Sequence, residues 1–229
     1  RAQGLTVVSK SLMEIIRKRQ QVQGKLWHVP NGVGPVLPAF GRAEMLRRLG
    51  LSIGARLIGA VGALDASRGI ADLFGAFDRL AESSPNLHLV LAGNESGPTR
   101  RIIHPRIHRL GTLSHSEALG VLSALDVSVV CNRDSAFARA CHPMKLVESV
   151  SAGCPVVAAR VGEVERLLAD YPGSLYSPGN VSELAEKVAQ QLESPNPIGA
   201  SIVKSWAEVA LGLDEALRAA VGAGPRMGQ

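Results

Sequence analysis

"RLIGAVGALDASRGIADLFGAFDRLAESSPNLHLVLAG", Arg56 to Gly93, decides the fold. It opens with an apolar run, "RLIGAVG" (56–62), that stops on glycine and reads as a strand. In "RGIADLFGAFDRLAESS" (68–84), Ile70, Leu73, Phe74, Phe77 and Leu80 recur at helical spacing and share one face. A second apolar run, "NLHLVLAG" (86–93), again ends on glycine. Strand, helix, strand in this order means two parallel strands joined by a right-handed crossover.

The alternation continues outward from this unit. Upstream, "LTVVS" (5–9) precedes the amphipathic "SLMEIIRKRQQ", and "KLWHVPNGV" (25–33) halts at the Pro30-Asn31-Gly32 turn. Downstream come a short strand, "IHRLG" (107–111), and a helix, "SHSEALGVLSAL" (114–125), that opens on a Ser-x-x-Glu capping box at Ser114 and Glu117. "DVSVVCN" (126–132) is a strand, Met144 to Val150 a helix and Val156 to Ala159 a buried strand. A last strand follows, then a helix capped from Asn180, and one more helix beyond Trp206 that ends near Val221. The expected architecture is α/β, a Rossmann-like, doubly wound parallel sheet with helices on both faces. It forms one domain over residues 1–222, with 223–229 a flexible tail. Ligands of such sheets bind beyond the carboxyl ends of the strands. That directs attention to Gly62, Gly93, Gly111, Cys131-Asn132-Arg133 and the segment near Pro143.

Composition narrows the function. Hydrophobic residues make up 46% of the 229 and aromatics only 3%, so the core is aliphatic. Single-stranded nucleic-acid platforms need rings for base stacking and are disfavoured. No nucleic-acid partner is expected. The formal charge of +5 is scattered, with short clusters at Arg17-Lys18-Arg19 and Arg100-Arg101. This balance is compatible with an anionic small ligand or with peripheral contact to an acidic membrane. Cys131, Cys141 and Cys154 show neither metal-ligand nor disulfide spacing, as expected of free thiols in a reducing cytoplasm. No run approaches the roughly 18–20 apolar residues of a membrane span. The chain opens on Arg1 and passes at once into a strand, with no secretory leader; it reads as a fragment of a longer protein.

Two stretches carry chemistry. In "GAVGALDASRG" (59–69), Arg68 sits beside Gly69 just before a helix. Free backbone N–H groups and a guanidinium fork that point the same way suit a phosphate. The alternative is an ordinary strand-to-helix loop with an exposed arginine. The fingerprint Gly-x-Gly-x-x-Gly of dinucleotide enzymes is absent. In "HPMKLVESVSAGCPVVAARVG" (142–162), Pro143 opens a helix whose Lys145 and Glu148 lie three residues apart and share a face. A helix does not require a carboxylate there; a ligand with hydroxyl groups does, and the alternative is an exposed Lys–Glu pair. The histidines show no metal spacing: His88 reads as a strand residue, His28 as a satisfied structural one, His115 as part of a first helical turn.

As a set, "HVPNGV", "GALDASRGIADLFGAF", "LHLVLAG", "HRLGTLSHSEALGVLSALDVSVV" and "HPMKLVESVSAGCPVVAARVGEVERLL" resemble the C-terminal, donor-binding half of a GT-B glycosyltransferase. The nearest group is the retaining, family 4-type enzymes, the glycosyl transferases group 1. The resemblance runs from about Gly4 to Trp206, in matching order and spacing. It implies transfer of a sugar from a UDP-sugar or GDP-sugar donor to a glycan or lipid-linked acceptor, as in polysaccharide biosynthesis at the cytoplasmic membrane face. It implies no cofactor and no metal, an Asp-x-Asp motif being absent. The acceptor would be held by an N-terminal domain not present in this sequence.

By the same resemblance Glu148 holds the ribose hydroxyls, and Arg68-Gly69 stands where the family neutralises the diphosphate with Lys-Gly. Gly62 opens that loop, and Gly93 and Thr112 fall where the backbone meets the nucleotide. Arg68 and Lys145 are the expected catalytic cations. Two positions depart from the family: Ala63 replaces a phosphate-binding arginine, and Ala140 replaces a sugar-binding glutamate. Arg133, Arg139, His142 and Lys145 are candidates to compensate, Lys145 first because it shares the helical face of Glu148. The rival readings are a nucleotide-sugar epimerase-like enzyme and a degenerate domain that binds a sugar nucleotide or assembles with a partner.

Overall fold

The computed structural model describes residues 3–19, 24–35 and 37–222. The expected tail over 223–229 lies outside them, as does the end of the expected first helix at residues 20–21. The core is a six-stranded sheet of β3 (Arg56–Val61), β4 (Leu87–Ala92), β5 (Ile107–Arg109), β6 (Val127–Val130), β7 (Val156–Ala159) and β8 (Leu175–Tyr176). Its spatial order is β5-β4-β3-β6-β7-β8, and every pairing is parallel. From β3 the chain winds outward to β5, then returns to β6 beside β3 and winds the other way. The strand order therefore reverses between β3 and β6, and the carboxyl ends there open a crevice.

The apolar runs that predict these strands are buried because helices cover both faces. On one face α3 (Ile70–Ser83) and α8 (Val181–Glu193) lie side by side. Leu73, Phe77, Leu184 and Val188 are fully buried in that layer against Leu89, Val127 and Val157 of the strands. On the other face α2 (Arg42–Arg48) and α4 (His115–Ala124) bury Met45, Leu46 and Leu122 against Leu57 and Val90. Truncating Phe77 to alanine in the α3–α8 layer removes about 3–5 kcal/mol of packing. The capping box of α4 forms as the sequence predicts: the Ser114 amide donates to Glu117 Oε2 at 2.9 Å, and the Ser114 hydroxyl accepts from the Glu117 amide. The last helix, α9 (Trp206–Gly222), begins where expected, and Asn180 caps α8 by accepting from the Glu183 amide at 3.1 Å.

The first two strands depart from the expected single sheet. Strand β1 (Gly4–Val7) pairs in parallel with β2 (Lys25–His28), and the two form a separate sheet across α1 (Lys10–Lys18). This unit is fixed to the main body by polar contacts through α1. Ser9 Oγ donates to the Ala140 carbonyl at 2.6 Å, and the Ser11 amide and hydroxyl donate to the buried Glu163 at 2.9 and 3.0 Å. Arg166 also pairs with Glu14. His28, expected to be satisfied, instead has a buried Nε2 without a partner. Two short helices not expected from the sequence, α5 (Ala136–Ala140) and α7 (Glu163–Leu167), receive these contacts beside α6 (Met144–Ser151).

Candidate functional site

A cleft of about 320 Å³ opens between the carboxyl ends of β3 and β6, at the point where the strand order reverses. Val61 and Ala63 form one wall, Asn132 another, and His142 and Lys145 a third, with Arg68 at the lip. Arg68 and Lys145 are the only Lys, Arg, Asp or Glu among its described lining residues. Two cations on a partly apolar wall, one of them paired with a carboxylate that lies outside the cleft, make the cleft receptive to an anion.

Arg68 is held by local and non-local contacts. Asp65 caps the turn before it, accepting from the Ser67 and Arg68 amides at 2.8 and 3.2 Å. That carboxyl is kept below its ordinary range chiefly by its hydrogen bond with the Ser67 side chain. Gly69 follows with φ 70°, a left-handed conformation that turns the chain into α3. The guanidinium stacks over Phe137 at 4.9 Å from ring centroid and reaches Asn132 Oδ1 at 3.4 Å. Phe137 itself is 62% exposed, which places it on the lip as a platform and not in the core.

Lys145 and Glu148 form an ion pair, Nζ to Oε2 2.7 Å, in which the Glu148 side chain is only 12% exposed. The sequence left an exposed pair as the alternative; this one is half-buried. The lysine stem runs against Gly62, where an added Cβ would meet Lys145 Cε at 2.7 Å. Pro143 stands at the N-cap of α6, one position earlier than a first helical residue, and the Leu146 amide donates to its carbonyl at 3.0 Å. Glu148 does not line the main cleft. It lines an adjoining cavity of about 110 Å³, with His115, Leu119 and Trp206, and Met144 lines both spaces. The ion pair thus links the two compartments.

Of the other expected residues, Ala63 lines the cleft, whereas Gly62 and Gly93 stand behind its wall. The loops after β3 and β4 are zipped together: the Gly62 amide donates to the Ala92 carbonyl at 2.8 Å and the Leu64 amide to that of Asn94 at 2.9 Å. A Cβ on Gly93 would come within 1.8 Å of the Gly62 carbonyl oxygen, so only glycine fits. Thr112 is exposed just beyond β5 and lines neither space. Of the compensating candidates, His142 and Lys145 reach the cleft. Arg139 is tied to Asp134 at 2.5 Å and lines a separate groove toward α1, and Arg133 is exposed with its stem near Gly69. Asn132 belongs to a strand end the sequence singles out. Phe137 carries no sequence signal, because a lone aromatic in "SAFARA" gives no hint of its distant partner.

The cleft also holds two thiols, Cys131 and Cys141, both pushed to higher pKa by burial, Cys131 to about 12. They are poor nucleophiles at neutral pH. Among the described residues no group of three or more His, Cys, Asp or Glu side chains is arranged to hold a metal ion, and no helix is long and apolar enough to cross a membrane.

Comparison with known proteins shows the family and the fold. Residues 55–194 match the family described as "Glycosyl transferases group 1". Over 143 residues the chain is 28% identical to a glycogen synthase of Mycobacterium tuberculosis, covering 59% of this chain and 33% of that protein. Over 217 residues it is 27% identical to 2-deoxystreptamine glucosyltransferase of Streptomyces kanamyceticus, covering 88% and 54%. The chain thus spans a third to about half the length of these two relatives. Among solved structures, the Anabaena protein Alr3699/HepE in complex with UDP and glucose superposes with a TM-score of 0.69 at 21% identity, over 95% of this chain and 63% of that one. At that identity the likeness establishes the fold.

Proposed function

We propose, from the premise that this chain belongs to the glycosyl transferases group 1 family of GT-B glycosyltransferases, that it is the donor-binding half of a retaining hexosyltransferase. Its donor is a UDP-sugar or a GDP-sugar; its acceptor is a glycan or lipid-linked glycan presented by an N-terminal domain. The observation that carries this reading is that Arg68 and Lys145 are the only Lys, Arg, Asp or Glu among the described residues lining the crevice, with the Glu148 carboxylate, bonded to Lys145, one cavity away. The diphosphate lies against Arg68 and Lys145, and the pentose hydroxyls donate to Glu148. A carboxylate accepts both hydroxyls, where an apolar side chain would leave them unpaired.

In the transfer step the bond from the sugar anomeric carbon to the diphosphate oxygen breaks, and the departing nucleoside diphosphate keeps the electron pair. The acceptor hydroxyl forms the new bond with retention, and its proton passes to the departing diphosphate oxygen. Charge develops on the leaving phosphate oxygen, and preorganised cations facing that oxygen lower the barrier. Gly62 and Gly93 let the loops after β3 and β4 pack against each other and against the Lys145 stem behind the cleft wall. The Lys145–Glu148 pair poises both partners, so that a nucleotide entering across the two cavities is gripped at the pentose and at the phosphates. Binding of the bilayer face by the scattered basic surface would bring lipid-linked acceptors to the site, in keeping with glycan assembly on the cytoplasmic side of the membrane.

A second reading, a domain that binds the donor without transferring, is favoured by Ala63 and Ala140, where expected phosphate- and sugar-binding side chains are lacking. Titration calorimetry tests the main proposal. UDP or GDP should bind saturably. Arg68→Ala should weaken the diphosphate by at least about tenfold, the worth of one charge-assisted hydrogen bond. Uridine or guanosine should be nearly indifferent to it. Equal losses for nucleoside and nucleoside diphosphate would refute the phosphate assignment.

A further inference from the structure

Between Ser96 and Arg109 the chain reads "SGPTRRIIHPRIHR", with four arginines and no aspartate or glutamate. Two of the four are structural. Arg109 pairs with Glu95 at 2.7 Å and donates to the Thr99 carbonyl at 3.0 Å. Arg106 donates to the Ala81 and Ser84 carbonyls, at the end of α3, at 2.9 and 2.7 Å. Arg100 and Arg101, on the turn Pro98–Arg101, are exposed and have no ion pair or side-chain hydrogen bond among the described residues. Directly after them stand Ile102 and Ile103, 37% and 96% exposed.

This loop is held from within. Thr99 is buried, the His104 ring packs edge-on against Phe77 with centroids 5.3 Å apart, and His104 Nδ1 accepts from the Arg106 amide at 3.1 Å. Its first residues are bonded to the rim of the crevice: the Ser96 amide donates at 3.1 Å to the carbonyl of Leu64, which lines the cleft. Two unpaired cations beside two exposed aliphatics are thus displayed on an anchored loop.

A single exposed aliphatic side chain is ordinary. A pair of them next to a pair of unpaired cations calls for a surface that is acidic outside and apolar beneath. Nucleic acid supplies phosphates, but the loop has no Phe, Tyr or Trp on which bases could stack. A protein partner would need a pocket shaped for Ile103 and acids opposite both arginines. An anionic bilayer needs no such match, since headgroups meet the cations while aliphatic side chains enter the acyl boundary.

We infer that residues 100–103 are the bilayer contact of this chain, a site for anionic lipid in which Arg100 and Arg101 hold headgroups and Ile103 inserts. This narrows the membrane contact of the reading above from a scattered surface to one loop, and rests on that part of it alone.

The full 229-residue chain is sedimented, without nucleotide, with vesicles of phosphatidylcholine and of phosphatidylcholine mixed equally with phosphatidylglycerol. Wild type should bind the mixed vesicles and ignore the neutral ones. Arg100→Gln with Arg101→Gln should weaken that binding by about twenty-five-fold, roughly fivefold for each cation near a charged surface. Ile103→Asn should weaken it by about tenfold, through lost aliphatic burial. Arg17→Gln with Lys18→Gln removes the same charge from the other basic cluster and should leave binding nearly unchanged. Equal losses for the two double variants would mean diffuse attraction by net charge and would overturn the inference, as would an unchanged affinity in either loop variant. Wild type that binds neither vesicle, or both alike, would refute the anionic bilayer as partner and leave the patch to an acidic protein. The donor reading is judged separately, by the nucleotide titrations above.

Discussion

Gly93→Ala is the most demanding test of the wall behind the cleft. Gly93 has φ 139°, a conformation nearly confined to glycine, and forcing another residue into it costs of order 1–3 kcal/mol. The new methyl would also lie 1.8 Å from the Gly62 carbonyl oxygen, which is backbone and cannot rotate away. Both loops would have to shift against the hydrogen bonds from Gly62 to Ala92 and from Gly93 to Gly111, 2.8 and 2.7 Å long. Such overpacking adds about 1–3 kcal/mol, for a total of about 2–6 kcal/mol. In a chain of this size each kcal/mol moves Tm by roughly 2–4 °C, so a drop of about 4–24 °C is expected in calorimetric or fluorescence melts. Gly111→Ala is the control: its φ is 67°, but nothing lies within 4 Å of the added methyl. Only the backbone cost of about 1–2 kcal/mol then applies. Because Gly62 abuts the Lys145 stem, Gly93→Ala should also weaken diphosphate binding, whereas the control should not. Equal melting temperatures for the two variants would refute the claim that the Gly62–Gly93 contact is what demands glycine.

Two further outcomes are expected. Stability should fall as pH drops below about 6.5, the unperturbed histidine value. Burial depresses His28, His88, His108 and His142, so the unfolded chain takes up protons first and acid favours unfolding. The stabilisation is fully present above that pH and is lost as pH falls through the depressed folded values. Urea midpoints between pH 8 and pH 5 measure it, and His88→Gln should flatten the slope by removing the His88–His108 contact of 3.0 Å; a midpoint unchanged over this range would contradict the assignment. Phe137→Ala should weaken UDP or GDP by about twofold to fivefold through loss of the platform under Arg68, with little change in Tm because the ring is exposed. A lowered Tm with intact affinity would mean that Phe137 serves folding instead.

The strands and helices of the main sheet are legible in the sequence wherever an apolar period runs long enough. Ile70 to Leu80 announces α3 because five apolar side chains share a face, and Ser114 with Glu117 announces the start of α4. Helices α5 and α7 escape detection because five residues complete barely one turn and show no period. That β1 and β2 form their own sheet is also hidden: strand character is local, but the choice of partner strand is settled by distant packing. At the site, Arg68, Lys145 and Glu148 stand out because each is a charge set beside a strand end or a helix start. Their division between two cavities does not show, since it depends on how α6 leans across Gly62. Phe137 and Asn132 meet Arg68 across more than sixty residues of chain, and both ring nitrogens of His142 are buried without a partner, a property of surroundings that no spacing encodes.

The segment bearing Phe137 is tied to α1 through a backbone group, the Ala140 carbonyl that takes the Ser9 hydroxyl at 2.6 Å. Of the five residues of α5, Ala138 alone is buried, and neither this turn nor the residues on its flanks contributes a rung to the sheet. The side chains of the crevice rim, Ala138 apart, are thus separable from the scaffold beneath them. Transplanting residues 133–141 from a relative should therefore exchange ligand preference while sparing the fold, which makes this short span the natural cassette for redesign.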